Sequence, residues 1–489
     1  MPLAPRRLLI LFAVAAGCSA PSAQQPGTSP AARPTTIVTT VGEMGGQARL
    51  AAGPMLADVT QRGATVWVQT DRPAVVAVQY SMTQTADGSP PPRRALSRAT
   101  RAIETAPDGT AAVTVFGLEP GATYAYDVIL DGQPIERPYP TVIRTQPLWQ
   151  WRTDPPETTI AFGSCFYDND ALYDRPGDPY GGSTAIFESI RTAAGGAAPD
   201  AMLWLGDNVY LREVDWWSPE GIDYRFAHSR ATPELQPFLA ATAHYATWDD
   251  HDYGPNNSDR SYVHKAAALE TFSRFWPNPT HGVGGVPGVF TQFQIGDAEV
   301  FLLDNRYHRT PNRAPGPHTL LGTEQRQWLL DALTASRAPL KVIALGGQML
   351  NPVDVFENYS AVAPGERDEI LREITEREID GVLFLSGDRH HGELIRIERD
   401  GTYPLYDFTS SPLTAGVSSY ATRDDSPELD NPARVPGTLI ADTRNFGTLT
   451  LSGPRRDRTL TLRAHAADGA LLWERAMPLN ELRTPRDER

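Results

Sequence analysis

Side chains that can bind metal ions or phosphate follow six short apolar runs of the chain. The runs are almost wholly apolar, and each ends in glycine or in polar residues such as Asp, Cys, Tyr and His. In open α/β sheets, binding sites form beyond the carboxyl ends of strands, so these endings predict one shared site. The endings are Gly163-Ser164-Cys165, Gly206-Asp207-Asn208-Val209-Tyr210, Asp249-Asp250-His251-Asp252, Asp304-Asn305-Arg306, Gly346-Gly347-Gln348 and Ser386-Gly387-Asp388-Arg389-His390-His391.

Asp207 and Tyr210 lie three residues apart at the second of these endings. A carboxylate in that position can bridge two cations, and a phenolate can bind a strongly Lewis-acidic cation such as ferric iron. At the third ending, Asp250 places a carboxylate beside the imidazole of His251. Both endings therefore supply candidate metal ligands.

Asp388 and His390 lie two residues apart, so both side chains can face one site from an extended turn. Carboxylates suit hard cations, and imidazole suits transition metals. A two-metal centre built from both would activate water and hold the attacking and leaving oxygens of an in-line displacement. These residue types point to metal-assisted phosphoester cleavage.

The apolar runs predict strands that are buried on both faces, as in the parallel sheet of an α/β protein. Helices are predicted between them at Glu324–Ser336, with Thr323 as the N-cap, and at Glu366–Glu378. The segment Gly447–Pro478 returns to alternating strands that would complete a sheet. We therefore expect an α/β catalytic domain over residues 155–480.

A β-sandwich is expected before this domain, over residues 49–145. Short β-branched and aromatic runs alternate there with turn residues, and Asp131-Gly132 is a hairpin signal. The segment 117–126 joins a Pro-Gly turn to a strand with two tyrosines on one face. It resembles the tyrosine corner of fibronectin type III and immunoglobulin-like domains. We find no catalytic set of residues in this region, so a structural module is predicted.

The composition restricts the class of protein. The chain has 489 residues, with 44 Lys and Arg against 59 Asp and Glu, and a net charge of −15. Its length favours two domains, and its ordinary globular composition excludes general disorder. The acidic balance argues against a nucleic-acid-binding protein, and two cysteines cannot form a disulfide framework. We expect a monomer whose partner is a phosphoester substrate.

An export signal is predicted at residues 1–23, where two arginines precede a short apolar run. The ending Ala15-Ala16-Gly17-Cys18 resembles a bacterial lipobox, which would make the cysteine the lipidated first residue of the mature chain. The alternative is plain cleavage near Ala20 or Ala23. The arginine pair also fits a twin-arginine signal, so the export route stays open. Residues 19–46 are predicted to be a flexible linker, and the protein to be periplasmic or at the surface of a bacterium.

The motifs resemble the metallophosphoesterases and, more closely, the alkaline phosphatase D (PhoD-like) family of that superfamily. The resemblance rests on the order and combination of the strand endings, and it covers roughly residues 50 to 475. It implies a four-layer α-β-β-α catalytic fold preceded by a small fibronectin/immunoglobulin-like domain. It also implies a secreted, metal-dependent phosphatase or phosphodiesterase.

The resemblance further implies roles for individual residues. Asp207 would bridge an iron ion, Fe(3+), and a calcium ion, Ca(2+). His251 would protonate or stabilise the leaving oxygen. Arg306 would hold a phosphate oxygen, with Arg309 as the alternative. The other implied ligands are Cys165, Tyr210 and His390 for iron, and Asp250, Asp388 and Asn257 for calcium.

Three points stay open at this stage. His391 directly follows His390 and is the alternative ligand at the last ending. Gln348 stands where the wider superfamily often has a histidine ligand, so that ligand is missing or replaced. The segment that covers the site is one of three insertions, Asp174–Ser183, Leu211–Arg230 or Leu413–Gly437.

Three alternative functions are retained. A purple acid phosphatase-like protein also uses a tyrosine after Gly-Asp, but Cys165 and Asp388 depart from the pattern of that family. A phospholipase-type phosphodiesterase would suit a membrane tether. A calcium-dependent surface-binding lipoprotein would have no need of Tyr210, His251 and His390 at successive strand ends.

Overall fold

The computed structural model of the protein describes residues 47–92, 97–355 and 358–485. The predicted export signal with Cys18 and the predicted linker, 19–46, lie outside these ranges. Within them, no helix combines the length and the apolar character needed to cross a bilayer.

The described residues contain twenty-one β-strands and eight α-helices. The strands are β1 Leu50–Ala57, β2 Gly63–Thr70, β3 Val75–Gln84, β4 Arg98–Ala99, β5 Ile103–Glu104, β6 Thr110–Phe116, β7 Thr123–Leu130, β8 Gln133–Ile135, β9 Val142–Arg144, β10 Thr158–Gly163, β11 Ala201–Leu205, β12 Ala243–Thr247, β13 Thr291–Ile295, β14 Ala298–Leu302, β15 Leu340–Ala344, β16 Val382–Ser386, β17 Glu393–Ile397, β18 Leu405–Thr409, β19 Asn445–Ser452, β20 Thr459–Ala466 and β21 Leu471–Pro478. The helices are α1 Ile186–Arg191, α2 Pro219–Arg230, α3 Gln236–Ala241, α4 Asp250–Tyr253, α5 Lys265–Phe275, α6 Gly322–Ala335, α7 Tyr359–Val362 and α8 Pro364–Glu376.

The first sheet has nine strands in the order β21-β20-β19-β10-β11-β12-β1-β2-β6. Its central strands β10, β11 and β12 are parallel. Phe162 pairs with Leu203, which in turn pairs with Tyr245, so the three strands are in register. Their carboxyl ends therefore meet at one edge of the sheet, where the loops with Cys165 and Asp207 begin.

The second sheet has six strands in the order β13-β14-β15-β16-β18-β17, of which β14, β15, β16 and β18 run parallel. Leu302, Ala344, Leu385 and Phe408 lie side by side across these four strands. The loop that carries Asp388 thus starts at the same edge as its neighbours.

The central strands of the first sheet are covered on both faces. On one face, Phe162 meets Phe408 of the second sheet edge-on, with ring centroids 4.8 Å apart. On the other face, Trp204 lies 5.9 Å from Phe187 of α1. Helices α6 and α8 pack against the second sheet and share its core cluster. The layers are therefore helix, sheet, sheet and helix, and the predicted α/β fold class is confirmed.

Both predicted helices form, but their starts differ from the prediction. Helix α6 begins at Gly322, so Thr323 lies inside it and is not the N-cap. The N–H of Gly322 instead donates to the hydroxyl of Thr319, three residues earlier, at 2.7 Å. Helix α8 begins at Pro364 because proline suits the first helical turn, where its missing N–H costs no hydrogen bond.

Residues 49–145 contribute strands to two sheets. Strands β1, β2 and β6 extend the first sheet, and β1 pairs with β12 at Leu56 and Ala243. The other strands of this region form a separate sheet around β3 and β7. The hydroxyl of Tyr124 accepts a hydrogen bond from the N–H of Glu119 at 2.8 Å, as a tyrosine corner requires. The first sheet thus runs without a break from this region into the catalytic region.

Candidate metal centre

Five of the predicted metal ligands have a left-handed backbone. Their φ angles lie between 51° and 68°, at Cys165, Asp207, Asn257, Asp388 and His390. This conformation costs a non-glycine residue about 1–2 kcal/mol. It persists only where the surrounding structure enforces it, and such residues cluster at functional sites. The observed strain therefore favours a functional role for these turns.

Cys165, Asp207 and His390 follow three different strands and meet in one cluster. One ligand atom from each lies within 4.8 Å of the other two. Sγ of Cys165 is 3.7 Å from Oδ2 of Asp207, and Oη of Tyr210 is 3.1 Å from Nε2 of His390. The four side chains can thus offer sulfur, carboxylate, phenol and imidazole to a single cation.

Asp207, Asp250 and His251 form a second cluster, again with ligand atoms within 4.8 Å of one another. Oδ1 of Asp250 and Nδ1 of His251 are buried and have no hydrogen-bond partner among the described residues. Buried polar atoms without partners are rare in native proteins, and a cation together with its bound ligand would satisfy both. Asp207 belongs to both clusters, which is the arrangement expected of a bridging carboxylate.

Asn257 and Asp388 contact the surroundings of these clusters through their backbone N–H groups. The backbone N–H of Asn257 donates to Oδ2 of Asp250 at 2.6 Å. The backbone N–H of Asp388 donates to the hydroxyl of Ser164 at 3.2 Å, and the charge of Asp388 acts on His390. The structure therefore brings both residues to the rim of the candidate centre.

Burial and mutual repulsion act on the carboxyl groups of the second cluster. Burial raises the pKa of Asp207, and the charges of Asp250 and Cys165 raise it further. Burial also favours the protonated form of Asp250, but the charges of His251 and Arg306 hold its pKa below the usual range. Two adjacent buried carboxyl groups cannot both ionise at low cost. A cation between them would remove that conflict.

The thiol of Cys165 is buried between two hydroxyl groups. Ser411 Oγ donates to its sulfur at 3.2 Å, and Ser164 Oγ lies 3.3 Å away. Burial raises the pKa of Cys165 to about 12, and the charge of Asp388 also raises it. A coordinating cation would have the opposite effect and deprotonate the thiol. The surroundings of Cys165 therefore suit a metal ligand better than a free nucleophile.

Residues 176–462, more than half of the chain, match the family described as PhoD-like phosphatase. The chain belongs to the PhoD-like phosphatase family. Residues 47–146 match a second family, described as a domain of unknown function, DUF7800. The family resemblance inferred from the strand endings is thereby confirmed.

Similar proteins come from bacteria and plants. Alkaline phosphatase D of Bacillus subtilis (strain 168) is 24% identical in an alignment 252 residues long, which covers 43% of this chain and 43% of that protein. The matched region is thus less than half the length of that relative. A solved structure of PhoD has a TM-score of 0.66 at 17% identity and covers 88% of both chains. Purple acid phosphatase PPD1 from yellow lupin (Lupinus luteus) has a TM-score of 0.59 at 12% identity, covering 87% of this chain and 74% of the other. At these identities the two structures show a shared fold alone.

The PhoD-like chain turns His390, and not His391, towards the clusters. Nε2 of His391 lies 3.2 Å from Oε1 of the buried Glu393, on the other side of the turn. Gln348 is also buried, and its Nε2 donates to Glu393 at 2.6 Å and to Thr409 at 2.9 Å. Gln348 therefore belongs to a hydrogen-bond network beside the centre, where it does not contact either ligand cluster.

Asp249 and Asp252 hold the turn that carries Asp250. The side chain of Asp252 accepts hydrogen bonds from the N–H groups of Asp249 at 3.0 Å and Asn208 at 2.9 Å. Asp249 in turn accepts a hydrogen bond from Nε of Arg306, and both side chains are only 1% exposed. The alternative phosphate-binding residue, Arg309, is fully buried as well. The two guanidinium groups thus lie inside the protein, and Arg306 forms a buried ion pair.

Replacing Arg306 with alanine is expected to lower the free energy of unfolding by about 3–5 kcal/mol, because Asp249 would lose its buried cationic partner. Chemical denaturation measures this loss. The matched control is Arg260→Ala at an exposed arginine, which should change stability by less than about 0.5 kcal/mol. Unchanged stability of the Arg306 variant together with a raised KM would instead assign this residue to phosphate binding.

Sequence reasoning missed two residues that contact the predicted ligands. Oη of Tyr180 lies 3.2 Å from Nδ1 of His390, and the hydroxyl of Ser411 donates to Cys165. Ser411 follows β18, a strand that the sequence analysis did not identify. Tyr180 lies in the insertion Asp174–Ser183. An aromatic residue among glycines and prolines was the one feature of the sequence that could have marked it as a site residue.

Proposed function

We propose that the protein is an exported, metal-dependent phosphoesterase that hydrolyses phosphate monoesters or diesters with metal-activated water. The observation that carries this proposal is the position of Asp207, whose carboxylate belongs to both ligand clusters. A shared carboxylate is what a two-metal hydrolase needs to hold its cations next to each other. Membership of the PhoD-like phosphatase family supports the same reaction class.

The donor set supports one transition metal and one hard cation. Thiolate, phenolate and imidazole suit iron, whereas carboxylate and amide oxygens suit calcium. When bound, such cations lower the pKa of a water molecule and neutralise charge on the phosphoryl oxygens. Asp207 would contact both cations. The other ligands would be Cys165, Tyr210 and His390 for iron, and Asp250, Asp388 and Asn257 for calcium.

His251 is assigned to the leaving oxygen of the ester. Its ring stacks on Tyr210 with centroids 4.4 Å apart and planes inclined by 29°, which fixes the direction of the imidazole. Burial lowers the pKa of His251, although the charge of Asp250 opposes this effect. The imidazole would therefore stabilise the leaving oxygen mainly through a hydrogen bond from its ring N–H.

Arg306 is assigned a positioning role instead of direct contact with the phosphate. Its guanidinium holds Asp249, which lies directly before Asp250 and His251. Because the pair is buried, it keeps this turn in place as the charge of the bound ester changes. Arg306 would then affect catalysis through the two residues that follow Asp249.

We also propose that the mature protein acts in the periplasm or on the cell surface, either free or tethered through Cys18. This rests on the signal pattern of residues 1–23 and on the polar segment 19–46. Mass spectrometry of the mature amino terminus distinguishes lipidation of Cys18 from cleavage near Ala20 or Ala23.

The proposed function is tested with p-nitrophenyl phosphate and bis-p-nitrophenyl phosphate, each with and without a chelator. We expect the purified protein to hydrolyse at least one ester, and the chelator to abolish turnover because water loses its activating cations. Calcium and iron added back in excess should restore it. The ratio of the two rates shows whether monoesters or diesters are preferred.

Three other results of this experiment would contradict the proposal or favour an alternative function. Turnover that survives complete removal of metal would contradict the metal-dependent mechanism. Calcium binding without hydrolysis of either ester would favour the surface-binding alternative. Hydrolysis of phospholipid headgroups in vesicles at a higher kcat/KM than either nitrophenyl ester would favour the phospholipase-type alternative.

A further inference from the structure

Tyr180 is placed at the candidate metal centre by a loop that several contacts hold in position. The side chain of Asn169 makes two 2.9 Å hydrogen bonds to Gly181, one to its carbonyl and one from its N–H. The N–H of Gly182 donates to the carbonyl of Thr414 at 2.6 Å. The residues directly after Tyr180 are therefore anchored on two sides.

The ring of Tyr180 packs against the centre itself. It meets Tyr167 edge-on, with centroids 4.9 Å apart, and its centroid lies 6.4 Å from that of Tyr210. A Cβ atom at Gly416 would come within 2.7 Å of the Tyr180 ring, so only glycine permits this close approach. The residue is nevertheless 45% exposed. Tyr180 thus lies between the buried ligands and solvent.

The hydroxyl of Tyr180 has one hydrogen-bond partner among the described residues, Nδ1 of His390 at 3.2 Å. Since Nε2 of His390 lies beside Tyr210, Nδ1 is the ring nitrogen that faces away from the ligand cluster. A histidine that binds a metal through Nε2 carries a proton on Nδ1 and donates it to an acceptor. The carbonyl of Gly416 is the nearer acceptor, 2.5 Å from Nδ1, and Oη of Tyr180 is the second, at 3.2 Å.

Because Nδ1 then carries a proton, it cannot accept a hydrogen bond from Tyr180, so the phenol O–H stays available to donate elsewhere. The ring centroids of Tyr180 and His390 lie 6.1 Å apart and the hydroxyl lies 3.2 Å from Nδ1, so the hydroxyl is close to the predicted ligands. Their acceptor atoms would be occupied by cations in the loaded protein. A phosphoryl oxygen of an ester bound to those cations would be an acceptor for this O–H.

We propose that Tyr180 is a catalytic residue whose hydroxyl donates a hydrogen bond to a non-bridging phosphoryl oxygen of the ester. This inference rests on the proposed function and adds a substrate-contacting residue to it. No proton is transferred: the O–H remains on the tyrosine and stabilises the charge that builds up on the phosphoryl group. The same hydroxyl shares the Nδ1–H of His390 with the carbonyl of Gly416 and thereby helps to orient this ligand.

The test compares wild-type holoenzyme with Tyr180→Phe, which removes the hydroxyl and keeps the ring. The matched control is Tyr173→Phe, a partly exposed tyrosine of the same loop whose ring packs on Tyr224, 5.7 Å away. We expect kcat for Tyr180→Phe to fall about 100-fold, as for the loss of one donor to a developing charge, and KM to change little. The Tyr173 variant should keep the wild-type rate.

Binding of orthovanadate and the iron content provide readouts that do not depend on turnover. Bound orthovanadate can adopt the five-coordinate geometry of the phosphoryl-transfer transition state, so its affinity for the metal-loaded Tyr180→Phe variant should fall at least about tenfold. Iron content should stay at the wild-type level. A kcat and a vanadate affinity within about twofold of wild type would overturn the proposal. So would a loss of kcat fully explained by lost iron, because Tyr180 would then act only by positioning His390.

Failure of this inference is distinguishable from failure of the proposed function. If wild type hydrolyses esters and Tyr180→Phe does so equally well, only the role of Tyr180 is wrong. If wild type hydrolyses neither ester, the proposed function is wrong. Vanadate binding to the two metal-loaded proteins then still decides whether Tyr180 contacts an oxyanion.

Discussion

The Asp207→Ala variant is expected to lose at least about a thousandfold in kcat/KM, equivalent to about 4 kcal/mol of transition-state stabilisation. The physical reason is that this carboxylate belongs to both ligand clusters, so its removal weakens both cation sites together. Hydrolysis of the nitrophenyl esters and elemental analysis of the purified variant measure the effect. We expect the variant to retain less of both metals than wild type.

The fold of this variant should remain intact. Burial raises the pKa of Asp207 in the folded, metal-free protein. Below the usual carboxyl pKa this protonated group therefore favours the folded state. That contribution to stability is lost as the pH rises through the raised pKa of the folded protein. The alanine variant has no carboxyl group at this position, so it does not lose stability in this way as the pH rises. Metal-free Asp207→Ala should therefore be at least as stable near neutral pH as metal-free wild type, as thermal unfolding can show.

A control variant distinguishes the loss of Asp207 itself from the general effect of removing a carboxylate in this part of the protein. Asp178 is an exposed aspartate in the loop that carries Tyr180, and Asp178→Ala should keep wild-type turnover. If Asp207→Ala is folded and as active as the Asp178 variant, Asp207 does not bridge catalytic cations.

Replacing Cys165 with serine is expected to remove iron and to lower kcat by at least about 100-fold. A serine hydroxyl is a much weaker ligand than a thiolate, and the ligand set would keep only oxygen and nitrogen donors. Burial already raises the pKa of the thiol to about 12, so only a cation would make this side chain anionic at neutral pH. Iron per protein chain and visible absorption of the iron–tyrosinate pair provide the measurements.

The control for this experiment keeps the sulfur and changes its surroundings. Ser411→Ala removes the hydroxyl that donates to Sγ of Cys165 at 3.2 Å but leaves the thiol in place. It should retain most of its iron, with a loss of affinity of about 10–100-fold at most. Fully active Cys165→Ser protein without iron would reject the iron site and leave only the hard-cation part of the proposal.

The strands, and the sheet edge that carries the candidate centre, could be predicted from the sequence. The apolar runs and the polar residues that follow them are both local features of the chain. Strands β10, β11, β12 and β16 are buried on both faces, so each reads as a largely apolar run with polar residues close after it. Parallel strands in register then bring these endings to one edge. The predicted start of α6 was wrong. The helix begins earlier because Thr319, which precedes the predicted helix, accepts a hydrogen bond from the N–H of Gly322.

Contacts between distant segments were beyond such reasoning. Tyr180 reaches His390 across 210 residues, and Ser411 reaches Cys165 across 246 residues. Neither contact can be predicted from the periodicity of the sequence or from the spacing of its motifs. The ion pair of Arg306 with Asp249 is another case, because both residues follow strands like the predicted ligands and yet partner each other.

The sequence by itself determined the class of fold, the family, and which residue types stand at the strand ends. Those features depend on the alternation and spacing of side chains within a few residues. Only the tertiary structure decided that His390 and not His391 faces the clusters, that Arg306 is buried, and that Tyr180 contacts His390. These outcomes depend on left-handed turns and on burial, which are set where loops from remote parts of the chain pack together.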